Sequence, residues 1–160
     1  MSKLQTQVAA FHRLFKSPIA PRPTIIEPAR VALRASFVVE ETFELLEALY
    51  GSLPEWAMCQ EIVKNALKQR QPRVDLPKAV DALGDIDFFV EGTRLEFGVE
   101  GGSIADEIFR ANMAKVGGEI RADGKQMKPK QWTPPDIEGV LRKQGAGELS
   151  CLEEKLREDQ

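Results

Sequence analysis

Residues 28–50 read PARVALRASFVVEETFELLEALY, and the order of apolar and charged residues in this stretch decides the fold class. It opens on Pro28, whose fixed φ and missing N–H suit a first helical turn, and it is followed by Gly51, which suits a helix stop. At roughly 100° per residue, Glu40, Glu41, Glu44 and Glu47 fall within one arc of about 120°. Val31, Val38, Leu45, Leu46 and Leu49 take the opposite arc, so the stretch predicts a long helix with a core face. Two features separate the acidic arc from an ordinary solvated surface. Toward the N-terminus it continues as Leu33 and Phe37, which favour burial. Like charges at i, i+4 also destabilise a helix by roughly 0.2–0.5 kcal/mol per pair. No basic residue between Arg34 and Gly51 offsets them, and a divalent cation is the natural compensator.

The flanking sequence is helical as well. Leu4, Val8, Phe11 and Phe15 recur at helical spacing from Lys3, and the following Pro18, Pro21 and Pro23 form an extended connector. Ser52 and Pro54 restart the chain into a third helix carrying Trp56, Ile62, Val63 and Leu67. After a polar loop over residues 71–76, Pro77 opens a fourth helix to about Phe97, with Gly98 as its stop. Ser103 is expected to cap a fifth helix running to about Met113, with Asp106 near its positive end. From Lys115 onward, Gly117-Gly118, Asp123-Gly124 and Pro134-Pro135 mark a turn-rich excursion with a short hairpin around Asp123-Gly124. Asp136 caps a last short helix, and the tail is expected to be frayed or a solvated helix. The expected architecture is all-α: a bundle of about five helices with a C-terminal excursion, forming one domain over 1–145 and a tail over 146–160.

Bulk properties narrow the function. The 160 residues are 42% hydrophobic and 29% charged, which fits one globular domain and argues against disorder along the whole length. A net charge of −3 and a pI near 5.4 give no footprint for nucleic acid or an anionic membrane. Cys59 and Cys151 read as reduced thiols, and the sequence carries neither a signal-peptide pattern nor an apolar run of membrane-spanning length. A cytoplasmic location is the resulting expectation.

The fourth helix adds chemistry. Asp81 and Asp85 stand at i, i+4 on the stripe that also carries Phe88, Phe89 and Gly92. Aspartate is a poor helix former, and its burial beside apolar residues is costly, so the pair invites a functional reading. If the second and fourth helices pack together, up to five carboxylates converge. Hard oxygen ligands in that number select Mg²⁺ or Mn²⁺, and Mg²⁺ shares its shell readily with substrate phosphates. Phosphate transfer or hydrolysis is the leading idea. Asn112, Lys115, Lys125, Lys128 and Lys130 supply amide and ammonium groups for phosphate oxygens.

The spacing Glu40-Glu41-x-x-Glu44, followed by an acidic pair ending in Asp85, resembles the EExxE…ExxD signature of the MazG-like, all-α NTP pyrophosphohydrolase superfamily. Further stretches are similar to its phosphoribosyl-ATP pyrophosphohydrolase-like branch. They are Phe11-His12-x-x-Phe15 with Pro18, the run from Asp81 to Thr93, Asn112-x-x-Lys115, Asp123-Gly124-Lys125 and Trp132-Thr133-Pro134-Pro135-Asp136. The resemblance implies a homodimer or dimer of dimers that hydrolyses a nucleoside triphosphate to monophosphate and pyrophosphate. It implies Glu41, Glu44 and Asp85 as metal ligands and Glu40 as the water-orienting base. Asn112, Lys115 and Lys125 become substrate contacts, and His12 with its aromatic neighbours a lining of the base pocket. One departure stands out: Ala82 occupies the place of the expected Glu, and Asp81, one residue earlier and one methylene shorter, takes over as ligand.

Three functions compete on these residues. A nucleotide-pool enzyme acting on nucleoside or deoxynucleoside triphosphates leads; a hydrolase acting on phosphoribosyl-ATP makes similar demands on the acids. A non-catalytic helical module, in which metal merely stabilises the fold, is the third.

Overall fold

The computed structural model describes residues 1–122 and 125–146. The expected turn tip at Asp123-Gly124 and the tail over 147–160, with Cys151, lie outside the described residues. The described chain is all-α, with six helices: α1 (Lys3–Leu14), α2 (Pro28–Tyr50), α3 (Pro54–Gln69), α4 (Leu76–Glu96), α5 (Gly101–Met113) and α6 (Ile137–Lys143). An antiparallel bridge between Ile120 and Gln126 closes the excursion after α5.

The chain divides into two compact units, one of residues 20–82 and one of residues 1–19 together with residues from 83 onward; the boundary falls within α4. In the first, α2 packs against α3. Pro28 starts α2, and Gly51, at φ 80°, ends it by donating its N–H to the Glu47 carbonyl. Pro54 likewise begins α3. Leu33 is buried and Phe37 half-buried, in line with their expected preference. The expected core face of α2 is only partly covered, however. Val38, Leu45 and Leu49 are exposed in the single chain.

In the second unit α5 packs against both α1 and α6. The start of α5 differs from the sequence expectation. Glu100, not Ser103, is the N-cap: its carboxylate accepts from the N–H groups of Gly102 (2.6 Å) and Ser103 (2.9 Å). These bonds hold the Glu100 carboxyl below the usual glutamate range. A Cβ at position 102 would stand 2.6 Å from Glu100 Oε1, so the carboxylate would have to shift to accommodate it. Asp106, expected to serve the helix dipole, instead ties α5 to α1 by accepting from Lys3 Nζ and Gln7 Nε2, each at 2.7 Å. Asp136 caps α6 as expected, accepting from the Gly139 N–H.

Polar anchors fasten the C-terminal segment to α5. Gln144 closes on the start of that helix, accepting from Glu100 N and donating to Glu100 O and Ser103 Oγ. Farther along, Glu107 accepts from Arg110 and from the Asp136 N–H, and Arg110 also donates to the Pro134 carbonyl. Arg110 and the Asp136 N–H together pull the Glu107 carboxyl down to about 2. Its unfolded-state value lies near 4.5, so its stabilising contribution is complete above that pH and is lost as pH falls through about 2. Thermal melts across pH are therefore expected to show Glu107→Gln less stable than the parent at neutral pH. The two curves should converge toward pH 2; a constant gap down to that pH would contradict the assignment.

Candidate active site

The acidic arc of α2 is graded in exposure. Glu40 is half-buried, while Glu41, Glu44 and Glu47 are exposed. Glu47 lies at the C-terminal end of the arc, where its Oε1 accepts from Ser52 Oγ at 3.4 Å. Glu41 and Glu44, three residues apart on an unbroken helix, project from adjacent turns. On α4, Asp81 and Asp85 are both exposed and again one turn apart. Ala82, where the resemblance places a Glu, is an exposed position on the same helix. Among the described residues, no group of three or more His, Cys, Asp or Glu side chains is placed to hold one metal ion. On α2 and on α4 the expected metal ligands, Glu41 with Glu44 and Asp81 with Asp85, stand as neighbouring pairs.

A second set of candidate residues stands where α5 ends. Asn112 and Lys115 are brought together: the Lys115 ammonium donates to Asn112 Oδ1 at 2.7 Å, and the Lys115 N–H to the Asn112 carbonyl. Trp132 holds the same turn from outside, its indole N–H donating to the carbonyl of Ala111 at 2.7 Å. Lys128 lies 4.2 Å over the Trp132 ring, a cation–π contact that orders its stem. Lys125 is half-buried beside the Ile120–Gln126 bridge, and Lys130 is exposed. Sequence reading singled out these lysines but missed Gln126, whose role rests on contacts to backbone carbonyls that no spacing rule announces.

His12 is fixed at the end of α1. Its Nδ1 lies 2.9 Å from the Pro18 carbonyl, and since a carbonyl only accepts, Nδ1 carries a proton. Just after α1, Lys16 adopts φ 53° and the Ser17 N–H returns to the His12 carbonyl, which turns the chain back over the imidazole. Phe11 and Phe15 form a tilted pair, 4.4 Å between ring centroids and 45° between planes, and the His12 ring lies 6.3 Å from that of Phe11.

Comparison with known proteins places these residues in context. The family model for phosphoribosyl-ATP pyrophosphohydrolase matches residues 8–112, a stretch that holds all of the carboxylates above and ends at Asn112. A search of curated proteins gives no match. Among solved structures, one from Exiguobacterium sp. 255-15, described as a "putative NTP pyrophosphohydrolase", is 31% identical. The match covers 90% of this chain and 96% of that one, with a TM-score of 0.67.

Proposed function

This chain belongs to the phosphoribosyl-ATP pyrophosphohydrolase family, a pyrophosphohydrolase by that membership, and from this premise we propose that it hydrolyses a nucleoside or deoxynucleoside triphosphate to the monophosphate and pyrophosphate. The observation that carries the reading is the graded acidic stripe of α2, with half-buried Glu40 beside exposed Glu41 and Glu44, inside the stretch matched by the family. The likeness to the solved structure described as a "putative NTP pyrophosphohydrolase" supports a nucleoside triphosphate over phosphoribosyl-ATP.

Mg²⁺ fits the donor set. The ligands offered are carboxylate oxygens alone, displayed in pairs, and Mg²⁺ typically takes one or two carboxylates and leaves its other positions to water and phosphate oxygens. Mn²⁺ accepts the same oxygens. Glu41 with Glu44, and Asp81 with Asp85, would each offer a carboxylate pair to a bound metal, which would lower the pKa of a bound water and neutralise charge on the phosphates. Glu40, held in a restricted orientation by partial burial, takes the proton of the water that attacks the α-phosphorus. The bond from the α-phosphorus to the bridging oxygen breaks, and pyrophosphate leaves. Asn112 and Lys115 bind the nucleotide, Lys125 contacts its phosphates, and His12 with Phe11 and Phe15 lines the base pocket.

The active species in this reading is a homodimer or dimer of dimers working in the cytoplasm, with neither nucleic acid nor a membrane as partner. In support of assembly, all residues of α4 from 77 to 91 are exposed in the single chain.

A substrate panel tests the proposal: the common ribo- and deoxyribonucleoside triphosphates and phosphoribosyl-ATP, each with Mg²⁺, followed by pyrophosphate release. Turnover of at least one triphosphate with higher kcat/KM than phosphoribosyl-ATP is expected. The reverse order overturns the substrate, and no turnover at all by the metal-loaded protein overturns the activity.

A further inference from the structure

The Asn112–Lys115 pair sits on a turn held from across the excursion. The side-chain amide of Gln126, half-buried, donates to the Gly118 carbonyl at 2.8 Å and to the Lys115 carbonyl at 3.2 Å. Inside the turn, the Gly118 N–H also donates to the Lys115 carbonyl at 3.0 Å. Gln126 therefore grips both ends of the Lys115–Gly118 turn with one planar group. The backbone around it keeps that group in register. Met127 N donates to Glu119 O at 2.8 Å, and Arg121 N to Lys125 O at 3.0 Å. The two segments approach so closely that a Cβ on Gly118 would stand 2.0 Å from the Met127 carbonyl oxygen.

This arrangement has a consequence for Lys115. Its ammonium reaches Asn112 Oδ1 only while its backbone stays at the end of α5, and its own carbonyl is the group that Gln126 holds. We infer that Gln126 is a positioning residue for nucleotide binding: by tying the Lys115 and Gly118 carbonyls it fixes the turn that presents Lys115 and Asn112 to the substrate. The inference rests on the reading above that Asn112 and Lys115 contact the nucleotide. Neighbouring Trp132 holds the residue before Asn112, Ala111, so the turn is secured on both sides, with Gln126 acting on the Lys115 carbonyl from across the excursion. A hydrophobic residue at position 126 would leave the Lys115 carbonyl with one donor fewer and the Gly118 carbonyl without its short bond, and the turn would open more often.

Two measurements on the full chain test this. Amide hydrogen exchange at Lys115, Gly118 and Met127 reports the turn directly. Steady-state kinetics with the best triphosphate of the panel and Mg²⁺ reports its effect. In Gln126→Met, close in size but without donors, exchange at Lys115 and Gly118 is expected to accelerate. KM should rise about three- to tenfold, with kcat within about twofold. Gln126→Glu, which sets a carboxylate against two carbonyls, should act in the same direction and serves if the Met variant does not fold. In a Lys115→Ala background the Gln126→Met change should add nothing further to KM, because both act through one group.

Unchanged exchange in the Gln126 variants overturns the positioning role, whatever the kinetics. Faster exchange with unchanged KM, where Lys115→Ala does raise KM, overturns it as well. Falling kcat at constant KM, additive with Lys115→Ala, identifies a merely structural residue. If Lys115→Ala leaves KM unchanged while exchange in the Gln126 variants accelerates, the failure lies with the nucleotide-contact reading.

Discussion

Glu40→Gln is expected to lower turnover by at least about a hundredfold while leaving Mg²⁺ affinity within about twofold. The substitution keeps the shape of the side chain and removes its capacity to accept a proton from water. Glu40 is the half-buried member of the α2 arc, whereas Glu41 and Glu44 are exposed. A half-buried carboxylate suits a group that must orient one water, and exposed carboxylates suit ligands of a hydrated cation. Pyrophosphate release gives the turnover and calorimetric titration with Mg²⁺ gives the affinity. Turnover that survives the change removes Glu40 from the chemistry. Affinity that collapses with it makes Glu40 a ligand and passes the role of base to another residue.

Both ends of α2 were legible because they rest on single residues with one dominant preference. Pro28 can begin a helix but not sit within it, and Gly51 takes the positive φ at which the helix stops. The start of α5 was not legible in the same way. Ser103 has the stronger capping preference, yet Glu100 caps, because Gly101-Gly102 lets the backbone fold close enough for a longer carboxylate to reach two N–H groups. Core assignment failed in part for a different reason. Apolar periodicity says that a face needs cover and is silent on what covers it, so Val38, Leu45 and Leu49 were read as internal although a single chain leaves them exposed.

The candidate site divides along the same line. Pairs within a helix, such as Asp81 with Asp85 or Glu41 with Glu44, follow from the pitch of the helix alone. Lys115 with Asn112 follows too, as an i, i+3 pair at a helix end. Gln126 could not be read in this manner, because its partners are backbone carbonyls that every residue possesses. What marks it in the structure is the juxtaposition produced by the Ile120–Gln126 bridge, a feature of tertiary geometry.

A chain bearing Phe88→Asp and Phe89→Asp is expected to sediment as a monomer where the parent sediments as a dimer or larger assembly, and to lose at least about tenfold in turnover. Phe88 and Phe89 are 75% and 68% exposed in the single chain, with their rings 5.8 Å apart at 84°. Covering a phenylalanine contributes about 1.5–3 kcal/mol, and a twofold interface would present each ring twice, so four rings could supply on the order of 6–12 kcal/mol before the cost of association. Gly84 and Gly92 point the same way. Each is an unfavourable residue in mid-helix, by about 1 kcal/mol against alanine, and a Cβ at either would meet nothing within 4 Å in the chain itself. Close approach by a second copy would account for both. Asp81, Gly84, Asp85, Phe88 and Gly92 share one stripe of α4, so the proposed partner surface and the proposed metal ligands would occupy the same helix face. Dissociation should therefore cost activity as well as mass. A parent chain that is monomeric at all concentrations would remove the proposed assembly, and a doubly substituted chain that remains associated would place the interface elsewhere. A variant that becomes monomeric with full turnover would separate assembly from catalysis.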